Sequence, residues 1–227
     1  MKNLLIVESE NDKYFIEALI KHMNLGNVEV SNGFICNIDD FECLGGLSSP
    51  RLTTVLKAIK SRVKKEDINR IGIIIDNDDK TDTERLALIN TSVNESFGVE
   101  TALKGINLLS QISIDSKQQV SIAAYFTNVG KKGELETVQK AIKSSPSPYA
   151  DCLDKWQSCL VANGLGLKSK DFDKFWVQVY IRYDTCTKKE QKQAGKYCSN
   201  EAAMNKLIWN FGHECLDELK VFLNLFS

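Results

Sequence analysis

The sequence has no surplus of either charge: 29 lysines and arginines stand against 30 aspartates and glutamates. No overall field therefore draws the molecule towards nucleic acid or an anionic membrane, and any such partner must be held by a local patch. There is no CxxC pair either, and the seven cysteines (Cys36, Cys43, Cys152, Cys159, Cys186, Cys198 and Cys215) are odd in number. They read as mostly free thiols in a reducing cytoplasm, and the spacing of Cys186, Cys198, His213 and Cys215 fits no familiar zinc module. Nothing of the form GxxxxGK[ST] occurs, which excludes a P-loop ATPase module from these residues. No apolar run approaches a bilayer span, and the opening "MKNLLIVESEND" is too briefly apolar for a signal peptide, so the expectation is a soluble cytoplasmic protein. The two histidines, His22 and His213, have no evident partner and read as structural.

What is present is an apolar fraction of 43%, enough to bury a real core. "NLLIV" (3–7) is a short apolar run feeding a helical pattern from Asn11 to about Met23, in which Phe15, Leu19 and Met23 share a face. A weaker strand is expected within 28–38, and a helix from about Pro50 to Lys65 with Val55, Leu56, Ile59 and Val63 facing inward. "RIGIIID" (70–76) and "VSIAAYF" (120–126) are buried strands, each followed by a loop and a helix; residues 93–118 fit either a further helix or a short edge strand. Strands alternating with helices predict an α/β fold with a parallel or mixed central sheet flanked by helices. Two of the three prolines fall in "SSPSPYADC" (144–152), which marks a boundary between an α/β domain over 1–145 and a helical extension over 146–227 packed on it. Helices are expected there over Tyr149–Ala162, Lys170–Tyr183, Asn200–Phe211 and from His213 to the end.

The candidate chemistry lies where the strands end. In a parallel α/β sheet the loops leaving the carboxyl ends share one rim, and ligands bind there. The first strand ends in Glu8, the strand 70–76 ends in Asp76 with Asp78 two residues on, and the loop after 120–126 leads to Glu134 and Glu136. If the first strand and the strand 70–76 are neighbours, three carboxylates converge, and such crowding is costly unless a cation compensates. Magnesium or manganese, which favour hard oxygen ligands, would do so. The plainer alternative has Asp76 capping the next helix and Asp78 and Asp79 solvated.

"LLIVESENDKYFIEALI" followed by "GIIIDNDDK" resembles the Toprim family, the catalytic domain shared by topoisomerases, bacterial primases and overcoming-lysogenization-defect nucleases. The matching positions are Glu8, Asp12, Asp76 and Asp78; "GELETV" resembles a later Leu-Glu element of nuclease-type members and points to Glu136. Gly45, Gly46 and the closing "IWNFGHECLDELKVFLNLF" also look like small stand-alone Toprim-like proteins. The resemblance implies magnesium- or manganese-dependent phosphoryl chemistry on nucleic acid, DNA or RNA, as in a nuclease. Carried over, Glu8 is the proton-transfer residue and a metal ligand, Asp76 and Asp78 are ligands, and Glu136 is a ligand of a second ion. Asp12, Asp79 and Glu134 stand around them; Asp12 equally suits the positive end of the first helix. Ser9 stands where the family usually has glycine, a residue that allows close approach of backbone or substrate.

Lys131 and Lys132, beside the rim, are the candidates for touching a phosphate. Residues 168–196 carry eight basic and four acidic side chains with Trp176, Tyr180 and Tyr183 interleaved. That composition suits phosphate contacts and base stacking, yet the aromatics fall at helical spacing and read more readily as core. A receiver domain fits poorly, because it needs two adjacent acids after the first strand. The second functional expectation is a non-catalytic Toprim-like module that binds or regulates within a nucleic-acid or defence complex, as a homodimer or with a protein partner.

Overall fold

The computed structural model describes residues 2–31, 48–100, 103–116 and 118–227. Cys36, Cys43, Gly45, Gly46 and most of the strand expected within 28–38 lie outside them. Contacts divide the chain into two units, Met1–Thr127 with Asp217–Ser227, and Asn128–Leu216.

The first unit is built on a five-stranded mixed sheet in the order β2-β1-β3-β5-β4. Its strands are β1 (Lys2–Val7), β2 (Val28–Val30), β3 (Ile68–Asp76), β4 (Ser110–Ser113) and β5 (Gln119–Thr127). β1 runs parallel to β2 and β3, β3 runs parallel to β5, and β4 closes the edge antiparallel to β5. The undecided stretch 93–118 thus holds an edge strand. Helices α1 (Glu10–His22), α2 (Ser49–Val63) and α3 (Asp82–Phe97) connect the strands.

Period-two alternation sends β-strand side chains to opposite faces. On one face Leu4, Ile6, Ile71, Ile73, Ile75, Val120, Ile122 and Phe126 form a single cluster with Leu52, Leu56, Ile59 and Val63 of α2 and Ile89 and Val93 of α3. On the other, Gly72 sits beneath Leu5, Phe222 and Phe226, and the Tyr125 ring meets that of Phe222 at 5.7 Å. A Cβ at position 72 would lie 2.4 Å from Leu5 Cδ2 and 2.8 Å from Phe226 Cζ, so any larger residue would push these side chains aside, and glycine lets the carboxyl-terminal aromatics lie down on β3. These aromatics belong to α10 (Asp217–Asn224) and the residues after it; the Asn3 Nδ2 donates to the Phe226 carbonyl at 2.6 Å. The chain's last segment is therefore part of the sheet unit.

The second unit is helical: α4 (Leu135–Ala141), α5 (Pro148–Ala162), α6 (Ser169–Val179), α7 (Lys188–Gln191), α8 (Ala194–Tyr197) and α9 (Asn200–Met204). The helix expected over Asn200–Phe211 ends at Met204, and the one expected to run to Tyr183 passes into a π-helical turn over Tyr180–Asp184. Trp176 stacks on Tyr180 at 5.3 Å, and Tyr180 meets Trp209 at 5.4 Å. The Tyr180 hydroxyl donates to the Ile208 carbonyl at 2.9 Å and accepts the Ser145 amide at 3.1 Å, tying this core to the loop before α5. Trp176 and Tyr180 are fully buried, as core residues rather than stacking platforms; Tyr183 is exposed.

Candidate functional site: an acidic strand-end rim

β1 and β3 are neighbours, pairing Val7 with Ile74, so their carboxyl ends deliver Glu8 and Asp76 to one edge of the sheet. There a Glu8 carboxylate oxygen accepts the Asp76 backbone amide at 3.1 Å. Both side chains are half-buried. The Asn77 amide donates to the Thr127 carbonyl at 3.0 Å, which carries the β3–β5 pairing one residue past the strand and fixes where the next turn begins.

Asp78 takes a left-handed conformation, φ 52°, that turns its carboxylate back towards α3. It is met there by Arg85, whose Nη2 donates to Asp78 Oδ2 at 2.5 Å and whose Nε donates to the Asn77 carbonyl at 3.3 Å. Arg85 is buried, 4% exposed, so this pair sits in a low-dielectric setting where it is strong and costly to break. Sequence reasoning missed Arg85. The signal was its phase: Arg85, Ile89, Ser92, Val93 and Ser96 line the inward stripe of α3, and an arginine on that stripe needs a buried partner. Asp79 is exposed. The following helix is capped by Thr81, through a capping box with Glu84, and not by Asp76.

Asp12 is buried and belongs to the amino end of α1. Its Oδ2 accepts the Ser9 amide at 2.9 Å and the Ser9 hydroxyl at 2.5 Å, while the Asp12 amide points back at Ser9 Oγ, 3.4 Å away. This capping box satisfies helix donors that would otherwise lack partners and sets the direction in which α1 leaves the rim.

Glu134, Glu136, Lys131 and Lys132 belong to the second unit. Lys131 and Lys132 lie exposed in a tight turn closed by the Val129 amide on the Lys132 carbonyl at 2.8 Å, with Lys131 at φ 72°. Glu134 is 2% exposed; Oε2 lies 3.3 Å from Lys170 Nζ and 3.6 Å from Lys174 Nζ. Its Oε1 is buried without a hydrogen-bond partner among the described residues. Burial, reinforced by the neighbouring Glu136 charge, pushes the Glu134 carboxyl up to about 7 against the pull of the two lysines. Burial likewise raises Glu136, opposed chiefly by Lys174. Lys170 and Lys174 therefore come from the basic stretch 168–196 to a buried acid, a pairing that the sequence pattern gave no means to specify.

Among the described residues no three histidine, cysteine, aspartate or glutamate side chains stand together as a ready-made metal cage. Of the cysteines, Cys186 and Cys198 are joined in a disulfide, Cys152 and Cys159 are exposed free thiols, and Cys215 forms no disulfide among the described residues. The expectation of mostly free thiols thus fails for the Cys186–Cys198 pair. Among the described residues no helix is long and apolar enough to cross a membrane.

The fold and rim define an α/β protein with strand-end acids at the carboxyl edge of its sheet. Over residues 2–227 the chain matches the family described as "Protein of unknown function (DUF3226)", and it belongs to that family. No curated protein and no solved structure matches it.

Proposed function

We propose that this is a Toprim-like protein that uses a divalent cation for phosphoryl transfer on nucleic acid, acting as a nuclease or a related processing enzyme. The observation that carries the reading is the approach of Glu8 to the end of β3, where its carboxylate meets the Asp76 amide. Two acids from adjacent parallel strands at the ligand-binding edge form a hard-oxygen donor set suited to magnesium or manganese. Glu8 and Asp76 would hold the ion, joined by Asp78 when it exchanges Arg85 for the cation. The ion would supply charge stabilisation for the phosphate oxygens and a water of lowered pKa. Glu8 is the group suited to exchange a proton with that water's neighbourhood, and Arg85, once released, becomes a cation for a phosphate. Glu134, Glu136, Lys131 and Lys132 belong to the second unit.

Two observations favour a second reading. The Asp78–Arg85 pair neutralises one of the rim acids without any metal, and Ser9 serves as a helix cap where the resembling family usually has glycine. Both suit a Toprim-like module that binds nucleic acid or a protein partner without cleaving.

The test is incubation of the purified chain with end-labelled single- and double-stranded DNA and RNA in magnesium or manganese. The catalytic reading expects cleavage that Asp76→Asn reduces by at least the roughly ten- to hundredfold that loss of an outer-shell partner costs. Binding without cleavage in either metal, unchanged by Asp76→Asn, would select the module instead.

A further inference from the structure

The second unit contains a pair of sulfurs that the rim does not use. Cys186 follows the π-helical turn and Cys198 follows α8; their Cα atoms are 6.2 Å apart, within disulfide range, and both residues are buried. The bond closes a loop that holds α7 and α8 and carries Lys188, Lys189, Lys192 and Lys196, all exposed. Lys206 Nζ lies 3.2 Å from Cys186 Sγ and 3.1 Å from Glu190 Oε1. Glu190 is held in turn by the Thr187 capping box, its Oε2 accepting the Thr187 amide at 2.7 Å. Gln191 Nε2 donates to the Cys186 carbonyl at 3.1 Å. The lysine is therefore aimed at one sulfur of the pair by a built arrangement.

A purely structural disulfide gains little from an ammonium group, because its sulfurs carry no charge. A thiolate gains, since Lys206 favours the deprotonated, nucleophilic form and works against the burial of the two sulfurs, with Glu190 sharing its charge. We propose that Cys186 and Cys198 are a reversible dithiol–disulfide site in which Lys206 makes Cys186 the attacking sulfur. The oxidant is a small disulfide such as oxidised glutathione. The Cys186 thiolate attacks one of its sulfurs, forming a mixed disulfide and expelling one small thiolate. Cys198 then loses its proton to solvent and attacks Cys186 Sγ, expelling the second thiolate. Two protein thiols lose two electrons and two protons, and one small disulfide becomes two thiols. The chemical state of the pair decides whether the lysine-rich loop is cross-linked or open.

The experiment has two readouts on the intact chain. After titration with oxidised glutathione, alkylation of remaining thiols and digestion, mass spectrometry is expected to find a Cys186–Cys198 cross-linked peptide that native dithiothreitol removes. In the reduced chain at pH 7, iodoacetamide should label Cys186 faster than Cys198. Lys206→Met should slow the Cys186 rate about threefold or more, since greater thiolate content outweighs its lower intrinsic nucleophilicity. Lys206→Arg should restore it, with Cys152 and Cys159 as internal controls that do not change. Absence of the cross-link, a cross-link that yields only after denaturation, or a Cys186 rate indifferent to Lys206→Met would each overturn the proposal.

Discussion

Arg85 bears a full charge inside the sheet unit, and its guanidinium spans the Asn77 carbonyl and the Asp78 carboxylate. Arg85→Met should therefore destabilise the protein by about 3 kcal/mol, because it strands a half-buried carboxylate, and urea unfolding at neutral pH reads that loss directly. Glu134 makes the opposite kind of statement. Its carboxyl is raised to about 7, first by burial and then by Glu136, against an ordinary value of 4.5. Below pH 4.5 it is protonated in both states and contributes nothing to pH dependence. Between 4.5 and 7 the unfolded chain ionises first, so stability falls as pH rises and levels off above 7. After allowance for solvent screening, that fall should amount to about 1–3 kcal/mol, and Glu134→Gln should flatten it. Denaturant titrations of both proteins between pH 4 and 8 measure the difference.

At the scale of elements, Ser9 and Asp12 act as one device, and the cost of changing the serine follows from its role as a cap. Ser9→Ala should cost about 1 kcal/mol and Ser9→Gly only a few tenths, because glycine tolerates the cap geometry. Both values come from the shift in the chemical unfolding midpoint. The same elements show what was readable beforehand. β1, β3, β5 and the helices after them were visible as apolar runs and helical periodicity, because each buries a local stripe. The adjacency of β1 and β3 was only a condition, since strand order depends on contacts distant in sequence. Asp78 could be placed on the rim by its spacing, but its rotamer depends on Arg85, one helical turn inside α3, and no motif records that partnership. Glu134 was named only as a neighbour of Glu136. Its burial and its two lysines come from α6, more than thirty positions further along the chain.

At the scale of the molecule, the prolines at 146 and 148 suggested a boundary near residue 145. Contacts place the division at Thr127 and again at Leu216. The second division has a physical cause in the carboxyl-terminal segment, whose Phe222 and Phe226 cover Gly72 of β3 and so belong with the first unit. The family match spans residues 2–227 and therefore takes in both units. Glu134, Glu136, Lys170 and Lys174 lie in the second unit and within the matched span.

The central claim is that Glu8 and Asp76 form a divalent-cation site. A melting curve with and without manganese, on wild type, Glu8→Ala and Asp76→Asn, tests it most directly. At ten times the dissociation constant the ion should raise the wild-type midpoint by about 3–5 °C, the shift expected for a ligand that binds only the folded state. Both variants should lose that shift. No shift in wild type, or a shift that survives both substitutions, would contradict the claim.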